Sequence, residues 1–181
     1  MQGPRDVIEF WFVEHGYEDW FGGKTEFDAK LAARFGDLHR RVSRGEAWHW
    51  RETANGRLAE VLMLDQFSRQ LHRGAARAFA QDGMALVLAQ EAIFDGADKE
   101  VDASRAMFFY MPFMHAESLV IQDEGVRLFE ALGNKDALQF MVDHRDTIAR
   151  FGRFPFRNKA LGRHSTPEEL AYMAEKGDRV F

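Results

Sequence analysis

The chain has 181 residues, of which 46% are apolar and 29% are charged, and its formal net charge is −5. This length predicts a single domain over residues 1–181, and this composition excludes a disordered chain. The negative charge argues against general nucleic-acid binding. The longest apolar run, residues 107–114, is much shorter than a membrane span. Without cysteine there is no disulfide or thiolate metal site, and we expect a cytoplasmic location.

The spacing of apolar residues predicts helices along the first half of the chain, with almost no strand signal. Pro4 lies at a first-turn position and opens a short helix. Thr25 is placed to cap a second helix. Thr53 is placed to cap a central helix that runs to about Gln70. Residues 84–94 form a further helix.

The second half shows the same helical spacing. Ser104 is expected to cap a short apolar helix, and Pro112 to begin a long helix that ends near Gly133. Asn134 is expected to cap the next helix, and Thr166 starts the last one with a capping-box pattern. Roughly seven to nine helices with short connections predict an all-α domain of stacked antiparallel helices.

Residues 144–158 mix aromatic and guanidinium side chains to an unusual degree. The segment begins as an amphipathic helix, in which His144 shares one apolar stripe that runs from Phe140 through Ile148 to Phe151. Beyond that helix, phenylalanines that favour burial alternate with arginines that need carboxylates, carbonyls or a bound anion. This mixture predicts a packed cleft with polar walls.

The same region concentrates positive charge. Residues 144–164 contain six basic residues and one acid, a net charge of +5, which leaves −10 for the rest of the chain. Two hypotheses stay open. Arg153 and Arg157, with Asn158 beside them, grip a small carboxylate or phosphate in bidentate fashion. Alternatively, the arginines pair with acidic residues of neighbouring helices.

A second polar group interrupts the central helix. Asp65 and Arg69 form an i, i+4 pair, and Arg73 follows one turn later. Asp65 also shares the face of the apolar residues Leu58 and Leu62, so its carboxylate is expected to point inward. The alternative is a surface salt bridge that contributes a few tenths of a kcal/mol, roughly.

A third polar group surrounds His115. In the helix expected from Pro112, His115, Ser118 and Gln122 follow i, i+3, i+7 and form one polar stripe, while Glu117 lies off it. A position in the first turn would place His115 near backbone N–H groups that attract anions. The alternative is a histidine whose hydrogen bonds are satisfied within the core.

Motifs for metals and cofactors are absent from the sequence. There is no H-E-x-x-H pattern, no E-x-x-H helix pair of the di-iron type, no phosphate-binding glycine loop and no serine in an esterase context. A site assembled from Asp65, His115, Glu117 and His144 is not implied by their spacing. We therefore expect no metal and no cofactor.

Five groups of motifs lie along nearly the whole chain. They are Phe10-Trp11-Phe12, Trp20-Phe21, Leu64-Asp65-Gln66-Phe67-x-Arg69 with Arg73-Gly74, Tyr110-Met111-Pro112-Phe113-x-His115-x-Glu117, and Phe151-Gly152-Arg153-Phe154-Pro155-x-Arg157-Asn158. Together these motifs resemble a mainly bacterial family catalogued as domain of unknown function 924. The resemblance implies an all-α fold similar to tetratricopeptide-repeat proteins, with helix pairs stacked in a right-handed superhelix, and it implies no established activity.

Three functions remain open at this level. The first is a binding module for a small anionic ligand or a peptide carboxylate, the second is a hydrolase or lyase for a small molecule, and the third is a structural module for protein–protein interaction. A homodimer contact through Trp48 or Trp50 is also open, whereas a membrane partner is not expected. The candidate catalytic residues are His115, His144, Asp65 and Glu117, and the candidate ligand-binding residues are Arg69, Arg73, Gln122, Arg153, Arg157 and Asn158.

Overall fold

A computed structural model describes residues 2–177, which form α-helices joined by short turns. No β-strand occurs in this part of the chain, so the predicted all-α fold is confirmed. The described residues fall into two compact units. The first comprises the chain up to Arg73 together with Arg77–Pro112, and the second comprises Gly74–Ala76 and the chain from Phe113 onwards. The predicted superhelical stacking of helix pairs stays a prediction.

The first unit is built on short and medium helices. Several of them end in, or are joined by, a tighter or wider helical turn. The longest of these turns have five residues each and are the π-turns Phe10–Glu14 and Met63–Phe67 and the 3-10 turn Trp48–Glu52. The α-helices are α1 (Pro4–Glu9), α2 (Tyr17–Trp20), α3 (Thr25–Val42), α4 (Ala54–Leu62), α5 (Ser68–Leu71), α6 (Asp82–Phe94) and α7 (Ala103–Met114).

Aromatic side chains form the core of the first unit. Trp11 is fully buried and stacks on Trp20, with ring centroids 5.5 Å apart and an interplanar angle of 6°. Phe108 contacts Trp11 edge-on, and Phe10 and Phe67 complete the cluster. Such offset and edge-on pairs add to the free energy gained from burial alone. The cluster links the start of the chain to the central helix and to α7.

The predicted central helix is present, with one irregularity. The Thr53 side chain accepts a hydrogen bond from the Gly56 N–H, as expected of its cap. From there the chain runs through α4, the π-turn Met63–Phe67 and α5 without leaving a helical path. A π-turn shifts the register of the side chains that follow it. Asp65 lies in this turn.

In the first unit, the cap predicted at Thr25 does not form, and one of the two tryptophans named for a dimer contact is buried. Thr25 is the first helical residue of α3, and Lys24 occupies the cap position without a side-chain hydrogen bond. Trp50 is buried at 7% exposure, so it offers no surface for a dimer, whereas Trp48 is 66% exposed. The helical turn Trp48–Glu52 directs successive side chains to different sides, which explains the contrast.

The helix boundaries around Pro112 also differ from the prediction. Pro112 lies inside α7, whose residues extend to Met114, and the long helix starts only at Leu119. A proline inside a helix removes one backbone hydrogen bond. Here the loss falls in the last turn, where the helix is about to end. His115 therefore lies in the turn after α7 and not in the first turn of a helix, and the stripe of His115, Ser118 and Gln122 does not exist.

The second unit is a helical hairpin followed by a loop and a last helix. The hairpin consists of α8 (Leu119–Leu132) and α9 (Lys135–Phe151), and the last helix is α10 (Pro167–Lys176). The short connection makes α8 and α9 neighbours. Gly125 of α8 lets them approach closely, because a Cβ atom there would lie 2.8 Å from Cε of Met141.

The predicted caps of α9 and α10 form, whereas one position predicted to be buried on α9 is exposed. The Asn134 side chain accepts a hydrogen bond from the Ala137 N–H, and Thr166 forms the predicted capping box with Glu169. The exposed position is Phe140, at 51% exposure, although the stripe with His144 placed it inside. In the described part of the chain, no helix has the length and apolar character needed to cross a membrane.

Candidate functional site

Asp65 is buried at 1% exposure in the π-turn of the first unit, so its carboxylate lies inside as predicted. The Gln66 Nε2 donates to Asp65 Oδ2 at 2.5 Å, and Arg69 Nη1 lies 3.2 Å from Asp65 Oδ1. Arg69 also donates from both Nη atoms to Asp82, at 2.9 and 3.0 Å. Burial alone lowers the pKa of Arg69, but the two carboxylates outweigh it and raise the pKa above its usual range. Arg69 is thus a fixed cation between two acids.

Arg73, the other predicted ligand-binding arginine of this unit, is partly exposed and holds α5 against α3. Its Nε and Nη2 atoms donate to Asp28 at 2.8 and 3.0 Å, and its Nη2 also donates to the Gln70 Oε1. These bonds to Asp28 raise the pKa of Arg73. A bidentate pair of this kind fixes the guanidinium in one orientation.

All the other predicted site residues lie in the second unit. The first of them along the chain is His115, which lies in a turn. The side chain of Gln122, which is fully buried on α8, donates from Nε2 to the Met114 carbonyl at 2.7 Å and to the Ala116 carbonyl at 2.8 Å. These carbonyls flank His115 on both sides. Gln122 therefore braces the turn and fixes the backbone of His115, which is 8% exposed.

His144 lies on the inner side of α9 at 6% exposure. Its Nδ1 lies 2.7 Å from the Phe140 carbonyl oxygen, which can only accept, so Nδ1 carries a proton and donates. This bond fixes the tautomer of the neutral ring, with Nε2 as the basic nitrogen. The His115 and His144 ring centroids are 6.3 Å apart. The structure thus brings the two predicted histidines together.

The Phe154 ring contacts both His144 and Arg157. The Phe154 ring packs edge-on against His144 with centroids 5.6 Å apart, and the Arg157 guanidinium carbon lies 4.4 Å from the centre of the same ring. Arg157 is 5% exposed. A guanidinium stacked on an aromatic face keeps its N–H groups in the plane directed away from the ring. An imidazole and a guanidinium therefore share one aromatic support.

Glu117 accepts hydrogen bonds that leave little room for a catalytic role. Arg163 donates to both of its carboxylate oxygens, at 2.7 and 2.9 Å, and the Phe154 N–H donates to Oε1 at 2.7 Å. Burial alone raises the pKa of Glu117, but these donors and the nearby charge of Arg157 lower it overall. Glu117 is an ionised anchor for the loop after α9.

Arg153 and Asn158 belong to a network centred on Glu169. Arg153 donates to the two Glu169 oxygens at 2.7 and 2.9 Å, and Asn158 Nδ2 donates to Oε2 at 3.1 Å. Arg163 Nε in turn donates to Asn158 Oδ1 at 2.9 Å. Arg153 therefore pairs with an acidic residue of a neighbouring helix, Glu169 of α10, which is the second of the two hypotheses for this arginine. This network fastens α10 to the loop.

Two residues of the second unit were not among the predicted site residues, although the network depends on them. Glu169 carries a local signal, the capping-box position relative to Thr166, which the sequence does show. Arg163 carries no local signal, because its partner Glu117 is 46 residues away in the chain. Among residues 2–177, no group of three or more histidine, aspartate or glutamate side chains is arranged to hold a metal ion.

The fold and these contacts define an all-α protein with buried histidine, arginine and carboxylate side chains. The chain belongs to the family described as bacterial protein of unknown function (DUF924), whose model matches residues 7–177. A solved structure of a protein of unknown function from Agrobacterium tumefaciens, ATU0120, is 40% identical and has a TM-score of 0.91, covering 95% of this chain and 97% of that chain. No curated protein matches. The predicted family is thereby confirmed, and its description carries no activity.

Proposed function

We propose that the second unit binds a small ligand that carries both an anionic group, such as a carboxylate, and an N–H or O–H donor. The observation that carries this proposal is the side-chain oxygen of Gln122. It is buried and has no hydrogen-bond partner among the described residues. The amide orientation is fixed, because Nε2 already donates to two carbonyls. An unsatisfied buried acceptor costs about 1–3 kcal/mol, which a donor on a ligand would recover.

The anionic part of the ligand is assigned to the basic groups near Phe154. Arg157 presents a guanidinium on the Phe154 ring. His144 packs on the same ring and offers an anion a second N–H only in its protonated form, in which Nε2 also carries hydrogen. His115 lies 6.3 Å from His144, centroid to centroid, in the turn that Gln122 braces. Histidine and arginine side chains in a region of low exposure bind anions more strongly than the same groups in water.

The arginines with carboxylate partners are not part of this proposal. Arg153 is held by Glu169, and Arg69 and Arg73 are held by Asp82 and Asp28. An anionic ligand would have to displace these bidentate partners. We infer that these three arginines hold helices together. The binding role proposed for His115, His144 and Arg157 rests on their grouping with Gln122 and Phe154.

A second candidate function, a hydrolase or lyase acting on the same ligand, is favoured by one observation. The hydrogen bond from Nδ1 of His144 to the Phe140 carbonyl leaves Nε2 as the proton-accepting nitrogen, the arrangement a general base requires. His144 would then take a proton from the substrate or from water. Turnover of a bound ligand that survives both His115→Ala and His144→Ala would rule out this assignment.

Binding is tested by calorimetry with a panel of small hydroxy acids, amino acids and short peptides on wild type and two variants. His144→Ala removes the proposed contact, and His164→Ala makes the same change at an exposed histidine of the same unit. We expect His144→Ala to weaken binding about tenfold or more and His164→Ala to leave it unchanged. A panel without any binder, or equal loss in both variants, would contradict the proposal.

A further inference from the structure

A basic cavity in the first unit provides a separate observation that does not rest on the function proposed above. It has a volume of about 190 Å³ and lies where α3 ends and where the chain continues after α5. Among the described residues, no aspartate or glutamate lines it. The polar side chains around it are His39, Arg40, Ser43 and Arg44 from the end of α3, and His72, Arg77 and Gln81 from the following segment.

Two of these arginines differ from most others in the chain. Most arginines elsewhere form ion pairs, such as that of Arg51 with the buried Glu60. At the cavity, Arg40 pairs with Asp37 on the outer side of α3. Arg44 and Arg77 have no carboxylate partner among residues 2–177. The cavity therefore holds two uncompensated positive charges, although the chain as a whole is negative.

The inner wall of the cavity offers polar groups that a ligand can use. The Ser43 hydroxyl oxygen is buried and has no hydrogen-bond partner among the described residues. His39, at 5% exposure, lies next to it on α3 and has its Nε2 2.8 Å from the Ser68 hydroxyl. The His72 ring lies 5.6 Å from the His39 ring. A buried hydroxyl without a partner needs an acceptor or donor from elsewhere.

The titration behaviour of the two histidines agrees with a positive potential in the cavity. Burial, followed by the nearby His72 and Arg77, lowers the pKa of His39 to about 4. Burial and Arg77 also lower the pKa of His72. A concave region with positive potential concentrates anions.

The chemistry of the walls selects the class of anion. The N–H groups of a guanidinium match the spacing of phosphate oxygens. A hydroxyl donor can contact a further oxygen of the tetrahedral phosphate, whereas a planar carboxylate has only two oxygens to offer. The last turn of α3 carries negative partial charge on its carbonyls, which Arg40 and Arg41 offset, and Arg44 and Arg77 lie outside that turn. We propose that this cavity binds a phosphate group, either inorganic phosphate or that of a small phosphomonoester.

The test is isothermal titration of the full chain with sodium phosphate, against sodium chloride at equal ionic strength, followed by methyl phosphate, a phosphomonoester without a carboxylate or an N–H group. Arg44→Gln and Arg77→Gln should each weaken phosphate binding about tenfold, and Ser43→Ala about threefold. Both arginines are exposed, so the variants are expected to fold, which circular dichroism checks. The matched control is Arg5→Gln, because Arg5 also has no ion-pair partner among the described residues and does not line this cavity.

Tighter binding of methyl phosphate than of phosphate would assign the site to an ester, and the reverse would assign it to the free ion. Phosphate that binds no better than chloride would overturn the proposal. An equal effect of Arg5→Gln and Arg77→Gln would overturn it as well, since it would show a response to net charge only. His144→Ala should not affect phosphate binding, so this site and the one in the second unit can fail independently.

Discussion

The substitution Glu169→Gln tests the network that fastens α10. The bonds from Arg153, followed by those from the Thr166 N–H and Asn158, outweigh burial and lower the pKa of Glu169 from 4.5 to about 2. One pKa unit corresponds to about 1.4 kcal/mol, so the ionised carboxylate contributes at most about 3 kcal/mol. Arg153 is 30% exposed, and solvent screening reduces this contribution to about 1–2 kcal/mol.

The sign of the pH dependence follows from the lowered pKa. The contribution is fully present above pH 4.5 and is lost as the pH falls from 4.5 towards 2. Urea unfolding, followed by circular dichroism, should therefore show that Glu169→Gln destabilises the protein at pH 7 and that the difference from wild type shrinks between pH 4.5 and pH 3. A glutamine side chain can still form the capping box, so the substitution removes the negative charge and keeps the cap.

The adjacent Glu168 provides the matched control. It pairs with Arg150 at 2.9 Å but is 63% exposed, and exposed pairs contribute about 0–1 kcal/mol. Glu168→Gln should have a small effect at every pH. The reasoning would be refuted if Glu169→Gln cost the same free energy at pH 7 and pH 3, or if the two variants behaved alike.

Two further predictions concern the first unit. Burial lowers the pKa of His39 from 6.5 to about 4, so the folded protein favours the neutral ring. The resulting contribution to the free energy of unfolding is fully present above pH 6.5, and about 2–3 kcal/mol of it is lost as the pH falls from 6.5 to 4. In urea unfolding, His39→Gln should reduce the dependence of stability on pH between pH 6.5 and pH 4, and the same change at the exposed His49 should not. An equal pH dependence in wild type and both variants would contradict the assignment. Gly56→Ala should destabilise the protein by about 1–3 kcal/mol or more, because the new Cβ atom would collide with the Trp50 carbonyl oxygen. Gly36→Ala provides the control, since a Cβ atom there lies in open space on α3 and should stabilise the protein by about 0.5–1 kcal/mol. Thermal unfolding measures both changes. A neutral Gly56→Ala would show that the backbone can yield there.

Local signals explain why much of the fold could be predicted. The caps at Thr53, Asn134 and Thr166 depend on residues three positions apart, and all three form as expected. The inward direction of Asp65 follows from helical period alone, and its 1% exposure agrees with it. By contrast, Pro112 is compatible with a helix start and with the last turn of a helix, and only the second occurs.

The pairing of charges could not be predicted, since it depends on contacts distant in sequence. The positive segment 144–164 is largely neutralised by acids outside it, such as Asp123, Glu117 and Glu169. Its excess of charge therefore did not mark an anion site by itself. Arg153 and Arg157 look alike in sequence, yet one joins an ion pair with Glu169 and the other is buried on Phe154.

The proposed ligand site depends most directly on the Gln122 oxygen, and a matched pair of acids tests it. Lactate carries a hydroxyl donor that propionate lacks, and both carry one carboxylate. We predict that wild type binds lactate about five- to tenfold more tightly than propionate, and that Gln122→Glu, which offers an acceptor but adds a buried charge, weakens both. Gln139→Glu, on the exposed side of α9, should leave both affinities unchanged. Equal binding of lactate and propionate by wild type would contradict the account, because the buried oxygen would then take no part in recognition.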